Sequence, residues 1–252
     1  MARQEPRFYA ESDELERTGD HPDAAEHFSG YALMGQPFSS GYYLAFRHFR
    51  HSSIGPGYRA LWVRTPSGNW TVYADTAPEL SCARYIGAAL DRAVPAAVEI
   101  EWEGPAGVTV RVPDRVRWHL ELGRSVPTTL LTAMALRMPK PLWRRDSVLQ
   151  AMGVMAGTML SAGRMSVCGV TPNGQTFQAQ PRRLWQVLET NAVIDGQDAG
   201  RAAPLPEQAR LGGFWLPQRG IFAADLLVRY PSTSQAQVGT PLEPFEPHGI
   251  AE

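Results

Sequence analysis

Residues 96–122 read AAVEIEWEGPAGVTVRVPDRVRWHLEL, and their alternation decides the fold class. Val98, Ile100 and Trp102 alternate with Glu99, Glu101 and Glu103, and Val108, Val110 and Val112 alternate with Thr109 and Arg111. Val116, Trp118, Leu120 and Leu122 then oppose Arg115, Arg117, His119 and Glu121. Successive side chains leave a strand on opposite faces. Three such runs joined by short turns therefore specify an antiparallel meander with one dry face and one wet face. The glutamates and arginines are the expected cross-strand partners on the wet side, each pair contributing roughly 0.2–1 kcal/mol. They read as a solvated face and not as an acidic metal cluster.

Upstream, GYYLAFRHFRH (41–51) is aromatic and strand-like and closes in the turn residues SSIGPG. Residues 57–65 and 69–75 form a hairpin about Pro66-Ser67-Gly68, completing a second meander. Thr76-Ala77-Pro78-Glu79 has the form of a capping box, and Leu80, Ala83, Ile86, Leu90 and Val94 keep a helical period until Pro95. A helix is expected there.

Downstream, Pro127 to Gly163 carries the longest helical signal and five of the eight methionines. Leu130, Leu131, Met134, Ala135 and Met138 form one stripe, and Leu149, Met152, Ala156, Met159 and Leu160 another, with Met155 at its edge. Gly153 and Gly157 point to close approach by a neighbouring element. Strands follow at 164–170 and 176–180 about Thr171-Pro172-Asn173-Gly174, then at 183–189, 192–194 and 221–230.

The expected fold is a β-rich α+β domain: antiparallel meanders forming one curved sheet, barrel-like or as two packed sheets, with about three helices covering or plugging the apolar side. Residues 1–30 read as a polar N-terminal arm, 31–231 as the domain and 232–252 as a C-terminal tail rich in Pro, Gly and Gln. GYRALWVRTPSGN from Gly57 aligns without a gap on GRMSVCGVTPNGQ from Gly163, which raises the idea of duplicated halves, 41–122 and 163–230, joined by helices 127–163. The competing reading is that Thr-Pro-x-Gly is simply a good hairpin turn. Gly68-Asn69-Trp70 and the meanders resemble lipocalin-like β-barrels, although lipocalins carry that triplet at their first strand and have far less helix.

Twenty-four Lys and Arg against 25 Asp and Glu give a net charge of -1, so no global positive field favours nucleic acid. No run approaches the ~18 apolar residues of a membrane span, and the charged N-terminus has no signal-peptide core, so a soluble cytoplasmic protein is expected. Cys82 and Cys168 are expected to be buried free thiols. Phosphate-loop, dinucleotide, zinc-protease, Cys-x-x-Cys and nucleophile-elbow motifs are missing, so no cofactor and no metal is expected. His48 and His51 fall on opposite faces of an extended strand, which is wrong for shared ligation. Lys140, the sole lysine, sits where a helix C-terminus already accounts for a cation.

The leading functional reading is a pocket for a hydrophobic small molecule between sheet and methionine helices, lined by Tyr42, Phe46, Arg47, Trp62, Arg64, Met134, Met138, Met152, Met155 and Met159. Arg47 and Arg64 are the groups for an anionic moiety. The alternative is a cofactor-independent enzyme (isomerase, cyclase, hydratase or hydrolase) on such a molecule, with His48 and Asp75 as its acid–base pair. A third reading is self-association, such as a homodimer, through the same apolar surface.

Overall fold

The computed structural model describes residues 5–12 and 24–231; the expected tail, and residues 1–4 and 13–23 of the expected arm, lie outside them. The elements in chain order are helix α1 (Pro6–Glu11) and strands β1 (Ala24–Pro37), β2 (Tyr43–Ser52), β3 (Tyr58–Arg64) and β4 (Trp70–Ala74). Then come helix α2 (Ala83–Ile86) and strands β5 (Arg92–Pro95), β6 (Glu99–Glu103), β7 (Gly107–Val112) and β8 (Val116–Gly123). Helices α3 (Val126–Arg137) and α4 (Asp146–Met159) precede β9 (Cys168–Val170), β10 (Thr176–Ile194), β11 (Gln197–Asp198), β12 (Arg210–Leu211), β13 (Phe214–Trp215) and β14 (Ile221–Pro231).

One sheet dominates, in the order β5-β4-β3-β2-β1-β14-β10-β8-β7-β6, with β9 and β11 paired to β10. Its pairings are antiparallel except for β4 with β5. The sheet curls into a half-barrel. Phe46 on β2 and Trp118 on β8 lie four strand steps apart in the order, yet their rings meet at 5.9 Å. The concave side is a continuous core that takes Leu33, Leu44, Phe46, Leu61 and Val63 from one half and Val108, Val110, Trp118, Leu120 and Phe222 from the other. Tyr9 of α1 packs into it against Trp185, ring centroids 5.9 Å apart.

The β6–β8 meander forms as its alternation dictates. Glu99 faces Arg111 and Val110 faces Trp118. Arg111 pairs diagonally with Glu101 at 3.0 Å, while Val108, Val110 and Trp118 are fully buried.

The convex side is covered by irregular pieces. Helix α3 is held by a capping box between Ser125 and Thr128 and lies on β10, where Thr132 Oγ1 accepts from the Leu184 amide at 3.0 Å. Helix α4 comes close to the chain that follows it: a Cβ on Gly153 would strike the Met165 carbonyl, and one on Gly157 the Gly163 carbonyl. The glycine spacing thus marks close packing, as expected. Among the described residues no helix is long and apolar enough to cross a membrane.

Three expectations change. Strand β1 and helix α1 occupy much of what reads as an arm. The β1 signal is hidden because register shifts beside Gly30 and between Leu33 and Gln36 break the two-residue period. The helix expected over 76–94 is only a 3₁₀ turn, the short α2, another 3₁₀ turn and then β5. Asn173 is the reason. Its amide Nδ2 donates to the Arg84 carbonyl at 2.6 Å, its backbone N–H donates to the Tyr85 carbonyl at 3.1 Å, and its Oδ1 accepts from the Ala88 amide at 2.8 Å. Those groups are the ones a longer helix would bond internally. Finally, residues 176–194, expected as three strands, are one bent strand with a register shift between Val187 and Glu189.

The two Thr-Pro-x-Gly turns share one conformation. Thr65 bonds Asn69 as Thr171 bonds Gln175, and Gly68 and Gly174 hold φ of +96° and +89°. Their strands occupy different places: β3 and β4 near one end of the sheet, β9 and β10 beside its middle.

Candidate functional site

Strand β2 distributes its side chains in turn. Leu44 and Phe46 enter the concave core, whereas Ala45 and Phe49 belong to the convex cluster and Arg47 lies on that same side. Register carries the pattern across: Trp62 on β3 sits opposite Ala45 and so also projects to the convex side. There the covering elements are α2, the segment after β9, and the stretch through β13. They do not mesh completely, and a cleft of about 100 Å³ remains over Arg47 and Trp62. That volume exceeds the ~10–15 Å³ a single water needs by several fold.

Its floor is Ala32, Arg47 and Trp62; its walls are Phe49, Ile86, Phe177, Phe214 and Tyr230; Trp215 and Pro217 complete it. The lining is apolar apart from a few groups. Cys82, free and buried, accepts a hydrogen bond at its Sγ from Trp62 Nε1 at 3.2 Å. Burial pushes the Cys82 thiol above its ordinary pKa, against the opposing pull of Arg47 and that hydrogen bond. The thiol is therefore kept protonated and weakly nucleophilic.

Arg47 is the one charged residue of the lining. Its guanidinium stacks on the Trp62 ring, 4.3 Å from the centroid, and its Nη1 donates to the carbonyls of Leu33 at 2.8 Å and Phe46 at 2.9 Å. Burial lowers its pKa from the usual arginine value, partly offset by Cys82 and nearby tyrosines.

A second, smaller space of about 40 Å³ lies beneath the methionine helices, lined by Met34, Met134, Met138, Met152, Met155 and Met165 among others. It holds little more than two or three waters on the ~10–15 Å³ scale. Met138, Met152, Met155 and Met159 are half-buried against the neighbouring clusters and Met134 is exposed. Met34 and Met165 border both spaces, so the two are neighbours.

The expected ligand set divides accordingly. Arg47 and Trp62 meet in the larger cleft; Met134, Met138, Met152 and Met155 line the smaller one. Met159 instead packs on the cluster around Leu160 and Ile221. Tyr42 and Phe46 belong to the concave core on the other face of the sheet. Arg64 lines neither space, its Nη1 reaching the Thr65 carbonyl at 3.4 Å. The tryptophans separate in the same way, Trp62 and Trp70 to the convex cluster and Trp102 and Trp118 to the concave one.

His48 and Asp75 lie on either side of Arg59, each with its own contacts. His48 Nδ1 lies 2.8 Å from the Tyr31 hydroxyl, and its pKa is lowered to about 4 by burial, then by Arg59 and Arg50. Asp75 accepts from the Arg59 amide at 2.7 Å and sits 3.7 Å from the Arg59 guanidinium. Both groups serve the β2–β3–β4 ladder. Among the described residues no cluster of three or more His, Cys, Asp or Glu is placed to hold a metal.

The lining residues that sequence reasoning missed include Phe49, Cys82, Ile86, Phe177, Phe214, Trp215 and Tyr230. Phe214 and Trp215 lie in a stretch without period, where no pattern assigns a face.

No family model matches the chain, and no curated protein matches it. Among solved structures, acetoacetate decarboxylase from Legionella pneumophila aligns over 82% of this chain and 86% of its own, with 8% identity and a TM-score of 0.42.

Proposed function

We propose that the protein binds a hydrophobic small molecule in the cleft over Arg47 and Trp62, beside the methionine helices. The observation that carries this is the cleft itself, about 100 Å³ with a lining dominated by aromatic and aliphatic side chains. Water in such a space finds few hydrogen-bond partners, so an apolar body that replaces it gains from leaving solvent. Rigid strands supply the floor, which keeps the space in shape without a ligand.

Native mass spectrometry of the chain purified from its own organism is expected to show the mass of a retained small molecule. Ala179→Leu, which adds bulk to the lining, is expected to return the protein to its bare mass. A bare wild-type spectrum, together with unchanged tryptophan fluorescence across a panel of small aromatic and aliphatic compounds, would sink the reading.

A further inference from the structure

Resting on that pocket reading, we infer that the ligand is an organic anion: a small carboxylate whose acid group sits on the open edge of Arg47 and whose apolar body lies along Trp62, Phe49 and Phe177. The geometry of Arg47 is the starting point. Nη1 alone bonds the Leu33 and Phe46 carbonyls, and no hydrogen bond joins Nε or Nη2 to a described residue. Arg47 lines the cleft with its guanidinium carbon 4.3 Å from the Trp62 centroid, so this Nε–Nη2 fork is the part left to bond a ligand there. That fork matches the two oxygens of a carboxylate.

The charge balance agrees. No carboxylate pairs with Arg47 among the described residues, and the cleft lining contains no Asp or Glu. Arg47 is half-buried and partly desolvated without a counter-ion, and an incoming carboxylate supplies the missing charge. The surroundings add to this. Trp215, on the lining, carries the exposed guanidinium groups of Arg164 and Arg210 at 5.1 and 5.6 Å from its ring. Such a cluster attracts anions toward the entrance. A volume of about 100 Å³ suits a compact body, a single ring or a short branched chain, with any longer part outside. One arginine fork and a neutral wall favour a carboxylate over a phosphate, whose further oxygens and second charge would meet apolar surface.

The test is calorimetry on the full chain with phenylacetate and 4-methylpentanoate, each against its primary amide, an uncharged near-isostere. The acid is expected to bind on the order of tenfold more tightly than its amide, as loss of a charge-assisted hydrogen-bond pair implies. Arg47→Met is expected to abolish that preference, and Arg47→Lys to keep part of it. Equal affinity of acid and amide for the wild type overturns the anion inference and leaves the pocket reading standing; this arm needs no variant to fold. Binding of none of the compounds overturns both.

Discussion

The two faces of strand β2 have opposite fates. On the concave face, Phe46 is fully buried and meets the rings of Tyr31, Trp118 and Phe222 at 5.9–6.4 Å. On the convex face, one residue along, Arg47 and then Phe49 border a cleft. The sheet closes its own concave side: curling brings two regular, alternating surfaces together, and such surfaces interdigitate to near-crystalline density. The convex side depends on short helices and aperiodic chain from α2 and β13. These are anchored by scattered hydrogen bonds, such as Leu216 N–H to the Ala209 carbonyl, and Ser166 N–H to the Trp215 carbonyl with the Trp215 N–H returning to Ser166 Oγ. Irregular cover leaves space, and space is where a ligand fits. On the proposed reading, function follows from what regular packing does not reach.

Truncation of the two phenylalanines measures that difference. Phe46→Ala is expected to cost about 3–5 kcal/mol in chemical denaturation, the usual range for removing a fully enclosed ring. Phe49→Ala is expected to cost less, about 2–3 kcal/mol, because atoms that border a void have already forfeited partners on one side. Equal losses would break the comparison, showing that the convex side is packed as tightly as the concave one.

Much of this contrast is legible in the sequence, and the remainder is hidden for definite reasons. Val108, Val110, Val112, Trp118 and Leu120 declare their face because no bulge interrupts them. The same rule puts Arg47 and Phe46 on opposite sides. Combining Tyr42 and Phe46 with Arg47 and Trp62 in one pocket ignores parity along β2. Placing Trp62 requires the β2–β3 register, which sets it opposite Ala45 and so beside Arg47. Strand β1 escapes notice since its bulges disguise the period, yet it supplies Ala32 to the cleft and Leu33 to the core. Cys82 and Phe214 are beyond pattern altogether, being delivered by α2 and β13 through long-range contacts.

Protonation offers a second way to sharpen the comparison. His48 stands at the concave side against Tyr31, and burial holds its pKa at about 4, well under the ordinary 6.5. Between those two values the unfolded chain binds a proton that the native protein refuses. Stability is therefore full above pH 6.5 and falls as the pH drops toward 4, by up to ~1.4 kcal/mol per pH unit, then levels off. His48→Gln is expected to remove this slope from denaturation curves recorded across the window. An NMR titration that found His48 protonating near pH 6.5 would mean that the concave edge is wet, and the contrast between faces would weaken.

The smallest expected effects come from adding volume instead of removing it. Ala224 lies in the concave core and is fully buried; Ala179 is partly buried and borders the convex cleft. Valine in place of either adds the same two methyl groups. At Ala224 they meet side chains already in contact, so neighbours must leave their preferred rotamers, and a loss of about 1–3 kcal/mol is expected. At Ala179 they enter open space, where new contacts offset what strain arises. The thermal midpoint of Ala179→Val is then expected to stay within about 0.5 kcal/mol of wild type, the range of substitutions that disturb nothing. Because the cleft is the proposed binding space, that variant should keep its stability while losing ligand, whereas Ala224→Val should lose stability and keep ligand affinity in the folded fraction. The two measurements exchange roles between the faces, so a variant that lost both or neither would show that the cleft and the core are one continuous packing unit.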